Sequence, residues 1–106
     1  MLPAYGVRDV VVCPGSRNGV LVHNFYILAA TADAPLSVHA VTDERSAAFV
    51  ALGLILARHA PVALCVTSGS ALLGTLPGVA EAAMRRLPLL VISADRPAEW
   101  IGQLDG

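Results

Sequence analysis

Lysine is absent from this sequence; all seven basic residues are arginine. That excludes a P-loop, whose lysine reaches the phosphates, and any lysine Schiff base. Charge of either sign is sparse: 14% of the residues are charged, the formal net charge is −1, and no basic block exists. Such a balance excludes a charged coiled coil and argues against a nucleic-acid footprint. Long apolar runs are missing as well. The longest, residues 47–57, falls well short of the roughly 20 residues a membrane span requires. The opening Met1-Leu2-Pro3-Ala4-Tyr5-Gly6 has no basic-then-apolar signal pattern. The expectation is a soluble, intracellular (cytoplasmic) protein with neither nucleic acid nor membrane as partner.

Cysteine is scarce. Cys13 and Cys65 are far apart, outside any C-x-x-C pair, and each ends an apolar run. They read as reduced core thiols. His23, His39 and His59 share no metal-ligand spacing with them or with one another, so no metal ligand set is expected from these residues.

What is present is apolar: 56% of 106 residues, enough for one domain with elements buried on more than one face. Strand-like and helix-like segments alternate. Residues 9–13 form a β-branched run closed by Pro14-Gly15; a helix over 18–30 follows, with Leu21, Phe25 and Leu28 on one face. Residues 36–41 read as a second strand, and Thr42 or Asp43 caps a helix over 44–58. That helix is apolar nearly all round and is expected to be covered on several sides. Residues 61–66 form a third strand. Ser68 or Ser70 caps a third helix running to Arg86, with Gly78 a weak point in it and Arg85-Arg86 at its carboxyl end. Residues 87–92 form a fourth strand, with Pro88 at its start, and Trp100 reads as a packing anchor. Continuous apolar strands separated by helices mean β-α-β units: an α/β fold, a parallel sheet with helices on both faces. The last residues, 99–106, complete no element, and a four-strand chain is expected to be a truncated domain.

In an open parallel sheet, ligands bind beyond the carboxyl ends of the strands. Those ends read Pro14-Gly15-Ser16-Arg17, Thr42-Asp43-Glu44-Arg45, Thr67-Ser68-Gly69-Ser70 and Ala94-Asp95-Arg96-Pro97, and they hold most of the charged and hydroxyl side chains. The first loop suits an anion, with Arg17 as a bidentate clamp, or is an ordinary turn capped by Ser16 or Asn18. In the second, Glu44 is either a helix-head acid favoured by the macrodipole or a partly buried carboxyl with a raised pKa that shares a proton with a ligand nitrogen. The hydroxyl-rich third loop lacks the dinucleotide glycine fingerprint. Asp95-Arg96 is either a local ion pair or a second arginine aimed at an acidic ligand; Arg17 and Arg96 on one edge suit a polyanionic small molecule.

Residues 6–17, Asp43-Glu44-Arg45-Ser46-Ala47-Ala48-Phe49, residues 51–54, residues 61–69 and Ser93-Ala94-Asp95-Arg96-Pro97 together carry a family resemblance, at natural spacing along essentially the whole chain. The chain resembles the N-terminal part of the 2-succinyl-5-enolpyruvyl-6-hydroxy-3-cyclohexene-1-carboxylate synthases, thiamine-diphosphate enzymes of menaquinone biosynthesis. The resemblance implies a pyrimidine-binding domain, here residues 1–106, working at a dimer interface in a homodimer or homotetramer. It gives Glu44 the role of hydrogen-bonding the aminopyrimidine nitrogen, which favours the imino tautomer able to take the thiazolium C2 proton. It makes Pro14, Gly15, Thr67, Ser68 and Gly69 the wall around the pyrimidine, and Ser16, Arg17 and Arg96 contacts to dicarboxylate substrates. Those substrates would be 2-oxoglutarate, which is decarboxylated, and isochorismate, which receives the carbanion. Magnesium or manganese would be held by a diphosphate-binding domain outside this chain, so the fragment alone is expected to be inactive.

The chain departs from the family at Asn18-Gly19-Val20, where Ser/Asn, Thr/Ala and Pro usually follow the arginine, and at Ser70, where threonine is common. Other readings are the pyrimidine domain of an acetolactate synthase or decarboxylase, which lack Ser-Arg and Asp-Arg-Pro at these places, and a non-catalytic dimerisation module of the same fold. A generic mononucleotide-binding domain ranks last.

Overall fold

The computed structural model describes residues 6–15, 18–30 and 36–94. Four strands, β1 (Asp9–Val12), β2 (Ser37–Ala40), β3 (Val62–Val66) and β4 (Leu89–Ser93), form one sheet in the order β2-β1-β3-β4, every pairing parallel. The two central strands are buried along their whole length and the outer two only in part. The expected fold class holds, and the reason is local: β-branched and apolar residues at consecutive positions suit only a strand covered on both faces. Observed strand ends lie within two residues of those expected.

Helices cover both faces. Helix α1 (Gly19–Ala30) packs Phe25, Leu21 and Val22 on one face, against Val10, Val12, Ala63 and Cys65. Leu28, expected on that face, is exposed, because the buried stripe turns through Val22 and leaves it outside. Helices α2 (Glu44–Arg58) and α4 (Leu76–Arg85) pack Ala47, Ala48, Ala51, Leu52, Ile55 and Ala82 on the other, against Val11, Cys13, Leu64 and Val66. Cys13 and Cys65 therefore face opposite sides of the sheet; both are buried, free thiols.

Four expectations are corrected. Helix α2 is covered on one side only; Phe49, Val50 and Leu56 stand exposed on the other. The third helix is two helices, α3 (Ser70–Gly74) and α4, broken at Thr75. Pro77 has no N–H for the carbonyl four residues back, and Thr75 turns its backbone N–H and its Oγ1 onto the Leu72 carbonyl at 3.1 and 2.7 Å. Gly78 is no weak point: a Cβ there would lie 2.5 Å from the Ala48 Cβ, so its bareness lets α4 lie against α2. Finally, neither Ser68 nor Ser70 caps α3. Gly69 precedes the helix with φ 72° and ψ −132°, a conformation glycine adopts at no steric cost, and no side chain bonds the helix start.

At the amino edge of the sheet Asp9 is 1% exposed, yet basic side chains meet it from two elements. Arg58 Nε lies 2.8 Å from Oδ2, and His39 Nε2 lies 2.9 Å from Oδ1. The buried carboxylate thereby ties β1 to β2 and to the last turn of α2. Arg85 in the last turn of α4 pairs with Glu81 at 2.6 Å, one helical turn back, while Arg86 ends the helix through its own backbone in the left-handed conformation, φ 56°. Among the described residues no helix is long and apolar enough to cross a membrane.

Candidate functional site

Strand order decides where a ligand fits. The chain passes from β1 to β2 on one side and then crosses to β3 on the other, so the switch point lies between the carboxyl ends of β1 and β3. Two of the four loops meet there. Gly15 lies against Thr67 so closely that a Cβ on it would sit 3.0 Å from Thr67 Cγ2. The loop after β3 carries the feature that needs explaining: among the described residues, Thr67 Oγ1 and Ser68 Oγ are buried with no hydrogen-bond partner. Buried polar atoms are nearly always paired, so two orphans side by side leave unused hydrogen-bonding capacity at the switch point.

Helix α2 begins beside the same crevice. Asp43 caps it, its carboxylate accepting from the Ser46 backbone N–H and from the Ser46 hydroxyl, each at 2.8 Å. Those two bonds, the backbone one foremost, hold the Asp43 carboxyl below the usual range. With the cap assigned to Asp43, Glu44 is the first helical residue, half-buried. Its Cβ lies 3.5 Å from where Gly74 would carry one, at the end of α3. Its charge also reaches the end of β1: burial first, and then the Glu44 carboxylate, push the Cys13 thiol up to about 11. Glu44 is therefore a carboxylate at the carboxyl edge of the sheet, next to β1 and free of capping duty.

Sequence reading offered Asn18 only as one of two possible caps and missed its role in the turn; its side chain is fully buried. Its carbonyl accepts from Val22 N–H at 2.9 Å, as an N-cap residue's does. Its side chain turns back instead of onto the helix: Oδ1 accepts from Gly15 N–H at 2.7 Å and Nδ2 donates to the Cys13 carbonyl at 3.0 Å. The available signal was an asparagine three residues after a turn glycine, a residue type that bonds nearby backbone.

Of the expected site residues, the fold brings Pro14, Gly15, Thr67, Ser68, Gly69 and Glu44 to one edge of the sheet. Ser16, Arg17, Arg96 and Trp100 lie outside the described residues. Together they offer two hydroxyls without partners, a close backbone approach at Gly15 and a half-buried carboxylate. Among the described residues no group of three or more His, Cys, Asp or Glu could hold a metal ion.

Comparison with known proteins gives the family and the fold. The family model "Thiamine pyrophosphate enzyme, N-terminal TPP binding domain" matches residues 1–105. The chain is 57% identical, over its whole length and 18% of the relative's, to 2-succinyl-5-enolpyruvyl-6-hydroxy-3-cyclohexene-1-carboxylate synthase of Phocaeicola vulgatus. To the synthase of the same name from Nocardia farcinica it is 50% identical, over 92% of this chain and 17% of that one. It thus spans under a fifth of the length of these relatives. A crystal structure of benzoylformate decarboxylase from Polynucleobacter necessarius superposes with a TM-score of 0.73 over 94% of this chain and 18% of that one; at 21% identity this likeness concerns the fold alone. The chain belongs to the thiamine pyrophosphate enzyme family, as an N-terminal TPP-binding domain homologous to that of the 2-succinyl-5-enolpyruvyl-6-hydroxy-3-cyclohexene-1-carboxylate synthases.

Proposed function

We propose that the chain is the pyrimidine-binding part, residues 1–106, of a thiamine-diphosphate-dependent synthase that decarboxylates 2-oxoglutarate and joins the resulting four-carbon unit to isochorismate. One observation carries this reading: a half-buried, uncommitted Glu44 at the same sheet edge as two buried hydroxyls that lack partners. High identity to relatives bearing the synthase name supports it over a decarboxylase that shares only the fold.

Bound thiamine diphosphate would supply a nucleophilic carbon and an acceptor for the electrons left by decarboxylation. This chain's residues would hold its pyrimidine end. Thr67 Oγ1 and Ser68 Oγ would gain the partners they lack, Pro14-Gly15 and Gly69 would close the wall, and Glu44 would hold or yield a proton at the ring nitrogen. Ser16, Arg17 and Arg96 would receive the carboxylates, planar guanidinium forks suiting such groups. Magnesium or manganese and the diphosphate would be held by a further domain, in a homodimer or homotetramer.

The test is to assay the whole enzyme with thiamine diphosphate, magnesium, 2-oxoglutarate and isochorismate. Carbon dioxide release coupled to loss of isochorismate is expected. No adduct from protein that is folded and cofactor-loaded would remove the synthase reading.

A further inference from the structure

We infer that Asn18 is a positioning residue that holds the Pro14-Gly15 turn against Thr67 and so sets the shape of the proposed pyrimidine wall. This rests on the cofactor reading above and goes beyond it, since Asn18 is fully buried and belongs to no expected contact.

Asn18 joins three places at once. Nδ2 donates to the last carbonyl before the turn, that of Cys13, while Oδ1 accepts from Gly15 N–H within it. Nδ2 also lies 3.9 Å from Cys65 Sγ on β3, the strand that leads into Thr67. Cys13 N–H in turn donates to the Cys65 carbonyl at 2.9 Å, which prolongs the β1–β3 ladder up to the crevice. Both ends of one short turn are thus bound by one side chain that is 0% exposed, and the turn is pressed onto the residue whose hydroxyl lacks a partner. An asparagine whose amide is fully enclosed keeps a fixed rotamer, so Gly15 is held at one distance from Thr67. Removing the amide leaves the part-buried Gly15 N–H and the buried Cys13 carbonyl unpaired, and the turn recovers those bonds by moving toward water, away from Thr67. A serine hydroxyl can still accept from Gly15 N–H or donate to Cys13, but one hydroxyl replaces an amide that does both.

The test uses the whole enzyme stripped of cofactor. Thiamine diphosphate is titrated calorimetrically in excess magnesium, well below the unfolding temperature, into wild type, Asn18→Ala and Asn18→Ser. Asn18→Ala should bind about tenfold more weakly, the loss expected for about one buried hydrogen bond's worth of misplaced wall. Asn18→Ser should lie between that variant and wild type, about threefold weaker. Where Asn18→Ala yields no folded protein, Asn18→Ser decides. Folded variants with wild-type affinity, whatever their melting temperature, would make Asn18 a helix cap and overturn the proposal. Wild type that fails to bind thiamine diphosphate at all would instead strike the cofactor reading.

Discussion

Cys13 shows at the scale of one residue how the site's electrostatics reach its neighbours. Its thiol sits behind the β1 turn, buried, with Glu44 nearby, and is pushed up to about 11 from an ordinary 9.0. A raised thiol pKa means that the folded state retains its proton where the unfolded chain loses it. The corresponding stability is fully present below about pH 9 and lost as pH rises toward about 11. Burial also pushes the Cys65 thiol up, against a smaller pull from Asn18. At pH 8 the native protein should therefore leave both thiols unmodified by iodoacetamide over hours, while urea-unfolded protein takes up two labels, as read by intact mass. Rapid native labelling would contradict the buried placement. How much of this scale was legible in the sequence varies by residue. Glu44 stood out because a carboxylate opens a strongly apolar helix, and residue type narrowed its cap to Thr42 or Asp43, of which the structure uses Asp43. Asn18 was read only as one possible cap, since sequence does not say whether an asparagine bonds forward or backward. The Asp9–His39–Arg58 cluster was invisible, because the His39 and Asp9 partners are 30 positions apart and only strand pairing brings them together.

The elements were legible where one signal dominated. β1 and β3 are continuous apolar runs with no competing pattern, and the alternation of strand and helix fixed the parallel sheet. The region after β3 misled because two helix-breaking residues stand side by side. Pro77 breaks the helix upstream, at Thr75, whereas Gly78 makes a packing contact. This assignment gives a paired prediction from two glycines in helices. A Cβ at Gly53 meets nothing within 4 Å, so Gly53→Ala should stabilise the protein by about 0.5–1 kcal/mol through helix propensity. Gly78→Ala meets Ala48 at 2.5 Å and should reverse the sign, destabilising by about 1–3 kcal/mol through overpacking. Urea midpoints of the two variants check this; Gly78→Ala as stable as Gly53→Ala would dismiss the α2–α4 contact. That α2 is covered on one side only also lay beyond sequence patterning, because an all-apolar helix states a demand for burial without naming the surface that meets it.

For the whole molecule, that unmet demand agrees with the chain's length relative to its family. Phe49, Val50 and Leu56 on α2, with Leu72, Leu73, Leu76 and Met84 on α3 and α4, are exposed. The chain spans 18% of the synthase from Phocaeicola vulgatus, and the proposed site is half of one: a pyrimidine wall and a carboxylate, with the diphosphate and metal to be held elsewhere. The central claim is that Glu44 acts on the cofactor's proton chemistry and does not merely open a helix. It is tested most directly by the rate at which the C2 proton of bound thiamine diphosphate exchanges for deuterium, followed by quenched-flow NMR in the whole enzyme. Glu44→Gln should keep the wild-type melting temperature within a few degrees, because Asp43 supplies the cap, and should slow that exchange by about a hundredfold or more. Exchange as fast as in wild type, from variant protein saturated with cofactor, would contradict the account.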